Sequence, residues 1–390
     1  MYNDICKNTE IVVKIKSRRV FVCGCLMPAV IEMENHVIRS VLPYTAEADD
    51  DFGDELIIPG MIDVHCHGAY GFDTNYAEPE GLRKWTAGIV REGVTGFLAT
   101  TLTDQKETLL KALKNVNDVA SSDYEGARIL GVHLEGPFLD MKYKGAQPPE
   151  AIVPPSIDTF REYMEASGNR IRIITLAPEH DPDFALTRYC SSHGVRVSIG
   201  HSSATKEEAF LAVANGASSV THTFNAMTPF THRENGIAGT ALRMHDLYSE
   251  IICDCNHSTP EALHIFFRSK SPQRCIMISD SLMCKGFEPG SKFLFGGHEV
   301  VIYPDGSAHL VKEGNLAGST MRMNDGLRNL VEKAMVPLDT AMNSCTLNPA
   351  EMLGMDDRIG RISAGCDADL AVIGSDFEVI TTYCKGIRQF

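Results

Sequence analysis

The chain has 390 residues, 44% of them apolar and 22% charged, with no low-complexity tract, which suits a sizeable folded core and excludes a chain dominated by disorder. Its formal charge of -15 argues against nucleic acid or an anionic membrane as the main partner, because both are bound through clustered Lys and Arg. Twelve cysteines are too sparse for a disulfide scaffold, and the start of the chain lacks a basic segment followed by an apolar core, so a reducing cytoplasm is the expected compartment.

The first predicted elements are short strands at residues 11–15, 20–22 and 36–42, separated by polar or Gly-containing turns, as in an antiparallel β-module. The longest apolar run, residues 20–31, is broken by Gly24 and Pro28 and is too short to span a bilayer. Cys23/Cys25 and Cys253/Cys255 have no second Cys pair at finger-like spacing and are expected to be ordinary buried cysteines. From Leu56 the rhythm changes to short apolar strands alternating with helical patterns. Strands are expected at 57–64, 96–100, 129–134, 171–176, 195–199, 218–221, 251–254 and 275–279, with helices at 80–92, 106–119, 206–215 and 260–269. Eight such strands in a βα series predict an α/β protein built on a (β/α)₈ TIM-type barrel.

A hairpin-like insert at 293–310 follows, with Gly296-Gly297 and Asp305-Gly306 as turn signals, then helical patterns at 323–334 and 338–345. The tail from 359 to 373 returns to strand character. It is expected to rejoin the amino-terminal strands, so that residues 1–57 and 359–390 form a small β-sandwich domain beside a catalytic barrel of residues 58–358.

Catalytic residues of such barrels project from the carboxyl ends of different strands. The first strand ends in Asp63-Val64-His65-Cys66-His67, where alternation of faces points His65 and His67 the same way. That pair alone is a weak pattern, which a wet strand end also explains. The third strand ends in Glu135, the fifth in His201, the sixth in His222, the seventh near His257 and the eighth in Asp280. Each singly has a plain structural reading, such as an Asp capping a turn. Jointly, His65, His67, His201 and His222 with Glu135 and Asp280 make an N/O ligand set suited to Zn²⁺, Fe²⁺ or a similar ion, with enough ligands for one or two ions per subunit and Glu135 as the bridge. An ion that activates water, beside a carboxylate that moves protons, fits hydrolysis of an amide or ester. The chain has no P-loop, no Gly-x-Gly-x-x-Gly after a strand and no Gly-x-Ser-x-Gly elbow.

The motifs Pro-Gly-Met-Ile-Asp-Val-His-Cys-His-Gly (59–68), His-Leu-Glu-Gly-Pro-Phe (133–138), Lys-Gly-Ala-Gln (144–147) and Leu-Ala-Pro-Glu (176–179) continue with Gly-His-Ser (200–202), Thr-His-Thr-Phe-Asn-Ala-Met (221–227), Ser-Asp-Ser (279–281) and Leu-Ala-Gly-Ser (316–319). In this order the chain resembles the amidohydrolase superfamily and, within it, the N-acetylglucosamine-6-phosphate deacetylase family. The resemblance implies release of acetate from an amino-sugar phosphate in amino-sugar catabolism. It implies a principal ion on Glu135, His201 and His222, a second on His65 and His67 shared through Glu135, and Asp280 as general base and then acid. It further implies substrate contacts by Ala146, Gln147, Asn225, Ala226, His257 and Gly318, and a homodimer in which Arg233 reaches the phosphate in the neighbouring active site. Gln147 stands where some members carry a histidine that orients the acetyl carbonyl, and Thr223 replaces a commonly apolar residue. Two neighbouring readings stay open, the N-acetylgalactosamine 6-phosphate epimer as substrate and a cyclic-amidase-type amidohydrolase.

Overall fold

Eight parallel strands form the barrel in a computed structural model that describes residues 12–390. They are Met61–Cys66, Val94–Thr101, Arg128–Glu135, Ile171–Leu176, Arg196–Ile199, Ala217–Val220, Tyr248–Ile252 and Cys275–Ile278, hydrogen-bonded in sequence order. All eight expected strands are present. Ile11, the first residue of the first expected strand, lies outside the described residues, as does the rest of 1–10 of the expected terminal domain.

One expected strand is two. The run 57–64 divides at Gly60 into Leu56–Pro59, which pairs antiparallel with Leu370–Ile373 in the terminal sheet, and Met61–Cys66, which opens the barrel. A Cβ on Gly60 would lie 2.1 Å from Thr95 Oγ1, so the chain crosses between sheets where only glycine fits. The terminal sheet joins Val12–Val22, Cys25–Glu34 and Val37–Pro43 to Leu370–Ile373 and Val379–Cys384, as the tail's strand character anticipates. Its own core holds Ile15, Ile31, Ile57, Val372 and Tyr383, and Arg128 at the start of the third barrel strand ties to Asp367 and Asp369 beneath it.

The insert is three strands rather than a hairpin, Lys292–Phe295, His298–Ile302 and Ala308–Leu310, because each of its two glycine turns reverses the chain. The helical pattern at 323–334 is an α-helix over Met323–Arg328 that widens to π-helix over Asn329–Lys333. Among the described residues, no helix is long and apolar enough to cross a membrane.

The eighth and first strands meet without a ladder. Their junction is held instead by the buried Asp63 carboxylate, which accepts from Ser279 Oγ (2.5 Å) and Ser279 N (3.3 Å), and by Asp280 N donating to His65 O (2.9 Å). Beyond it the loop 281–285 lies along residues 67–71: His67 N and Gly68 N donate to Ser281 O, and Tyr70 N donates to Lys285 O. Lys285 Nζ then pairs with Glu92 Oε2 at 2.9 Å, both side chains 1% exposed, while Tyr70 donates its hydroxyl to Glu92 Oε1. Removing one member leaves a buried uncompensated charge, so Lys285→Met is expected to destabilise the fold by about 3–5 kcal/mol. Lys285→Met with Glu92→Leu should recover most of that loss in denaturant titrations. A single variant that costs under about 1 kcal/mol would contradict this account of the pair.

Candidate active site

The carboxyl ends of five barrel strands bring His65, His67, Glu135, His201, His222 and Asp280 together, all at most 8% exposed. Glu135 is the hub: its Oε1 lies 3.4 Å from His65 Nε2 and 3.2 Å from both His201 Nε2 and His222 Nε2, and its Oε2 lies 3.3 Å from His67 Nε2. Asp280 Oδ1 completes a second face, 3.4 Å from His65 Nε2 and 3.3 Å from His67 Nε2. Three of these residues occupy left-handed backbone, His201 at φ 47°, His222 at φ 27° and Asp280 at φ 49°. Non-glycine residues rarely adopt it, and it clusters where structure is bent to serve function.

The separations discriminate between hydrogen bonding and ion binding. Charge-assisted N–H···O bonds run about 2.7–2.9 Å, whereas ligand atoms about 2.0–2.1 Å from a shared ion in a tetrahedron are about 3.3–3.4 Å apart. The observed values fall with the second class. Hydrogen-bond partners agree: His201 Nδ1 meets Tyr143 O at 2.9 Å and His65 Nδ1 meets Glu250 Oε2 at 2.9 Å, which places the proton on Nδ1 and the Nε2 lone pair inward. His65 Nε2 is buried without a hydrogen-bond partner and faces two carboxylates, an arrangement a cation resolves.

Protonation shows the same demand for positive charge. Burial opposes a charge on His67 and His222, yet the negative carboxylates beside them win: Asp280 and Glu135 raise His67 to about 10, and Glu135 raises His222 to about 9. At His65 burial, helped by the neighbouring His67 and His222, prevails over Glu135 and Asp280, and the imidazole falls to about 4. Burial also works against ionised Glu135, but His65 and His201 hold it well below the usual carboxylate range. Asp280 is likewise brought down to about 2, its burial outweighed by His65 and His67. Among the described residues, Glu135/His201/His222 and His65/His67/Asp280 each converge as an ion would require.

The pocket above this cluster is lined by His67, Ala146, Gln147, Asn225, Ala226, His257 and Gly318, so every expected substrate-contact residue but one reaches it. Arg233 does not. It sits in an exposed turn, 231–234, held by bonds from Arg233 N and Glu234 N to Thr231 Oγ1. Gln147 is already engaged, its Nε2 donating to Glu135 Oε2 at 2.6 Å and its Oε1 accepting from Thr103 N at 2.8 Å. His257 Nδ1 lies 2.7 Å from Asp254 Oδ2, leaving Nε2 for the pocket. Gly318 has φ +49°, and a Cβ there would stand 2.8 Å from the backbone carbonyl oxygen of Asp280, so the loop can approach the backbone at Asp280 this closely only as glycine.

Several participants escape the sequence reading. Glu179, the end of Leu-Ala-Pro-Glu, accepts from Ser202 Oγ, Ser203 N and Ser203 Oγ and so clasps the turn that follows His201. Phe295 of the insert packs edge-on to His67 with ring centres 5.5 Å apart. Glu250 in the seventh strand meets His65, and Asp254 at that strand's end meets His257. The available signal was chemical: an acid within the otherwise uncharged run Tyr-Ser-Glu-Ile-Ile, and an Asp three residues before a His.

A family model described as the amidohydrolase family matches residues 56–388. The chain belongs to the amidohydrolase family. An N-acetylglucosamine-6-phosphate deacetylase of Bacillus subtilis (strain 168) is 40% identical over 351 residues, 89% of this chain and 88% of that one. An N-acetylgalactosamine-6-phosphate deacetylase of Escherichia coli O157:H7 is 32% identical over 332 residues, 85% and 87% of the two chains. Among solved structures, a mutant N-acetyl-D-glucosamine-6-phosphate deacetylase from Mycobacterium smegmatis, in complex with N-acetyl-D-glucosamine-6-phosphate, superposes with a TM-score of 0.91 at 27% identity, covering 97% of this chain and 99% of that one. This amidohydrolase is therefore a hydrolase of a metal-dependent family, and the two groups around Glu135 are its candidate ion-binding groups.

Proposed function

We propose that this amidohydrolase hydrolyses the N-acetyl group of N-acetyl-D-glucosamine 6-phosphate, yielding D-glucosamine 6-phosphate and acetate. The observation that carries this reading is Asp280: a buried carboxylate at the floor of the pocket, beside a histidine cluster with ion-binding spacing, in a chain whose relatives act on this sugar. Glu135, His201 and His222 would hold a principal divalent ion, Zn²⁺ or Fe²⁺, and His65 and His67 with Glu135 a second. Such an ion lowers the pKa of water beside it and polarises the amide carbonyl. Asp280 takes the proton from the attacking water on its carboxylate and delivers it to the sugar nitrogen as the C–N bond breaks. Gln147 steadies Glu135, and Ala146 and Gly318 shape the walls. Asn225, the Ala226 backbone and His257 meet the sugar and its phosphate.

The pocket lining contains Glu135 and Asp280 but neither Lys nor Arg among the described residues. A phosphate dianion there needs a cation from elsewhere. We assign that role to Arg233 of a second copy, which makes the working unit a homodimer, and place it in the cytoplasm, consistent with eleven described cysteines that are all free. A guanidinium binds phosphate bidentately, and its loss costs on the order of 10- to 100-fold at about 1.5–3 kcal/mol per charge-assisted bond. Arg233→Ala should therefore raise KM for the phosphorylated sugar by that factor and leave the free sugar unaffected. Equal changes with both would remove phosphate from its role.

The deciding experiment measures acetate release from N-acetylglucosamine 6-phosphate, N-acetylgalactosamine 6-phosphate and both unphosphorylated sugars. No release from any of them sinks the proposal. The Escherichia coli relative favours one second reading, the galacto epimer, which the same assay resolves by the ratio of kcat/KM.

A further inference from the structure

Glu250 lies inside the seventh barrel strand, 0% exposed, where a carboxylate is costly unless its surroundings use it. One oxygen, Oε2, accepts from two residues on different strands, His65 Nδ1 at 2.9 Å and the His222 backbone N at 3.4 Å. The other, Oε1, has no partner. An apolar residue would fill this strand at lower cost. His133 packs on the His65 ring at 4.5 Å between centroids, but both its nitrogens are taken, Nδ1 by Val64 O and Nε2 by Thr175 Oγ1. His65, His133 and Glu250 are therefore not a third ion site, although their polar atoms cluster.

We propose that Glu250 is a positioning residue for the second ion: by accepting from Nδ1 it fixes His65 in the tautomer whose Nε2 lone pair faces Glu135 and Asp280. The inference rests on the reading above that His65 holds an ion. Because the same oxygen accepts from the His222 backbone, Glu250 also joins the ligand of the second ion to the ligand of the first. A partner that orients a ligating histidine is typically worth about 10- to 100-fold in metal affinity.

The test titrates Zn²⁺ into chelator-treated protein and follows ion content after dialysis, for the unaltered chain, Glu250→Gln, Glu250→Leu, His65→Asn and His65→Asn/Glu250→Leu. Glu250→Gln keeps the volume and an acceptor oxygen, so it carries the test if the leucine variant does not fold. Glu250→Leu should weaken the second Zn²⁺ equivalent by about 10- to 100-fold, and Glu250→Gln, which keeps an acceptor for Nδ1 but loses the charge behind it, measurably but by less, with a smaller loss at the first equivalent for both. Glu250→Leu should add nothing once His65 is Asn. The proposal is overturned if both Glu250 variants take the second equivalent as the unaltered chain does. It is equally overturned if the loss is as large in the His65→Asn background, or if the unaltered chain takes one equivalent that His65→Asn leaves untouched. Acetate release by the unaltered chain is measured separately, so failure of the proposed reaction is distinguishable from failure of this inference.

Discussion

Asp280→Asn should lower kcat for acetate release by about 10²- to 10⁴-fold, the range that one positioned acid–base group contributes. The amide has nearly the shape of the carboxylate and can keep its place beside His67, but it can neither take the proton of water nor return it to the leaving nitrogen. In the ion-free protein His65 and His67 hold Asp280 ionised against its burial, down to about 2; with ions bound, their positive charge would hold the carboxylate ionised in place of the imidazoles. The variant should fold: Asn tolerates the left-handed backbone at φ 49°, and it removes a charge from a buried cluster. A thermal midpoint at or above that of the parent, with kcat down by at least two orders of magnitude, is the expected pair of results. Activity within about tenfold of the parent would move proton transfer to another group.

Removal of the ions should abolish acetate release, and Zn²⁺ or Fe²⁺ added back should restore it. Ion-free protein balances Glu135 and Asp280 with protons on His67 and His222, raised to about 10 and about 9. Ligating imidazoles must be neutral, so uptake releases those protons and apparent affinity should climb with pH from neutrality towards about 9. Calorimetry in buffers of different ionisation heat reads the proton count directly. The same binding should raise folding stability by about 2.7 kcal/mol at an ion concentration one hundred times the Kd. Full activity in exhaustively chelated protein, or uptake without proton release, would contradict the ion assignment.

The eight strands were legible because each is a short apolar run closed by a turn, and the six converging side chains were legible because they close those runs. Residues whose roles depend on where a distant strand passes were not. Glu250 reads locally as an oddity in an apolar strand, and only the barrel's closure carries it to His65, 185 positions earlier. Gly60 was legible only in part: Pro59-Gly60 is a turn signal inside the run 57–64, but that the two halves join different sheets, with Thr95 against the glycine, is a tertiary fact. Gln147 matched a substrate-contact motif, but its partners Glu135 and Thr103 show the amide turned toward the ligand set.

Seven of the barrel's strand junctions are laddered and the eighth, between the last strand and the first, is not. Across that gap stand Asp280 on one lip and His65 and His67 on the other, so the spacing of the proton carrier from the second ion's ligands is governed by the Asp63–Ser279 bonds and by isolated backbone bonds, Asp280 N to His65 O and His67 N to Ser281 O, rather than by a continuous ladder. The stiffness of the reaction centre is thereby separated from the stiffness of the scaffold. Substitutions at Asp63 or Ser279 can make the lips breathe, altering turnover and its temperature dependence, while the other seven junctions keep the barrel intact.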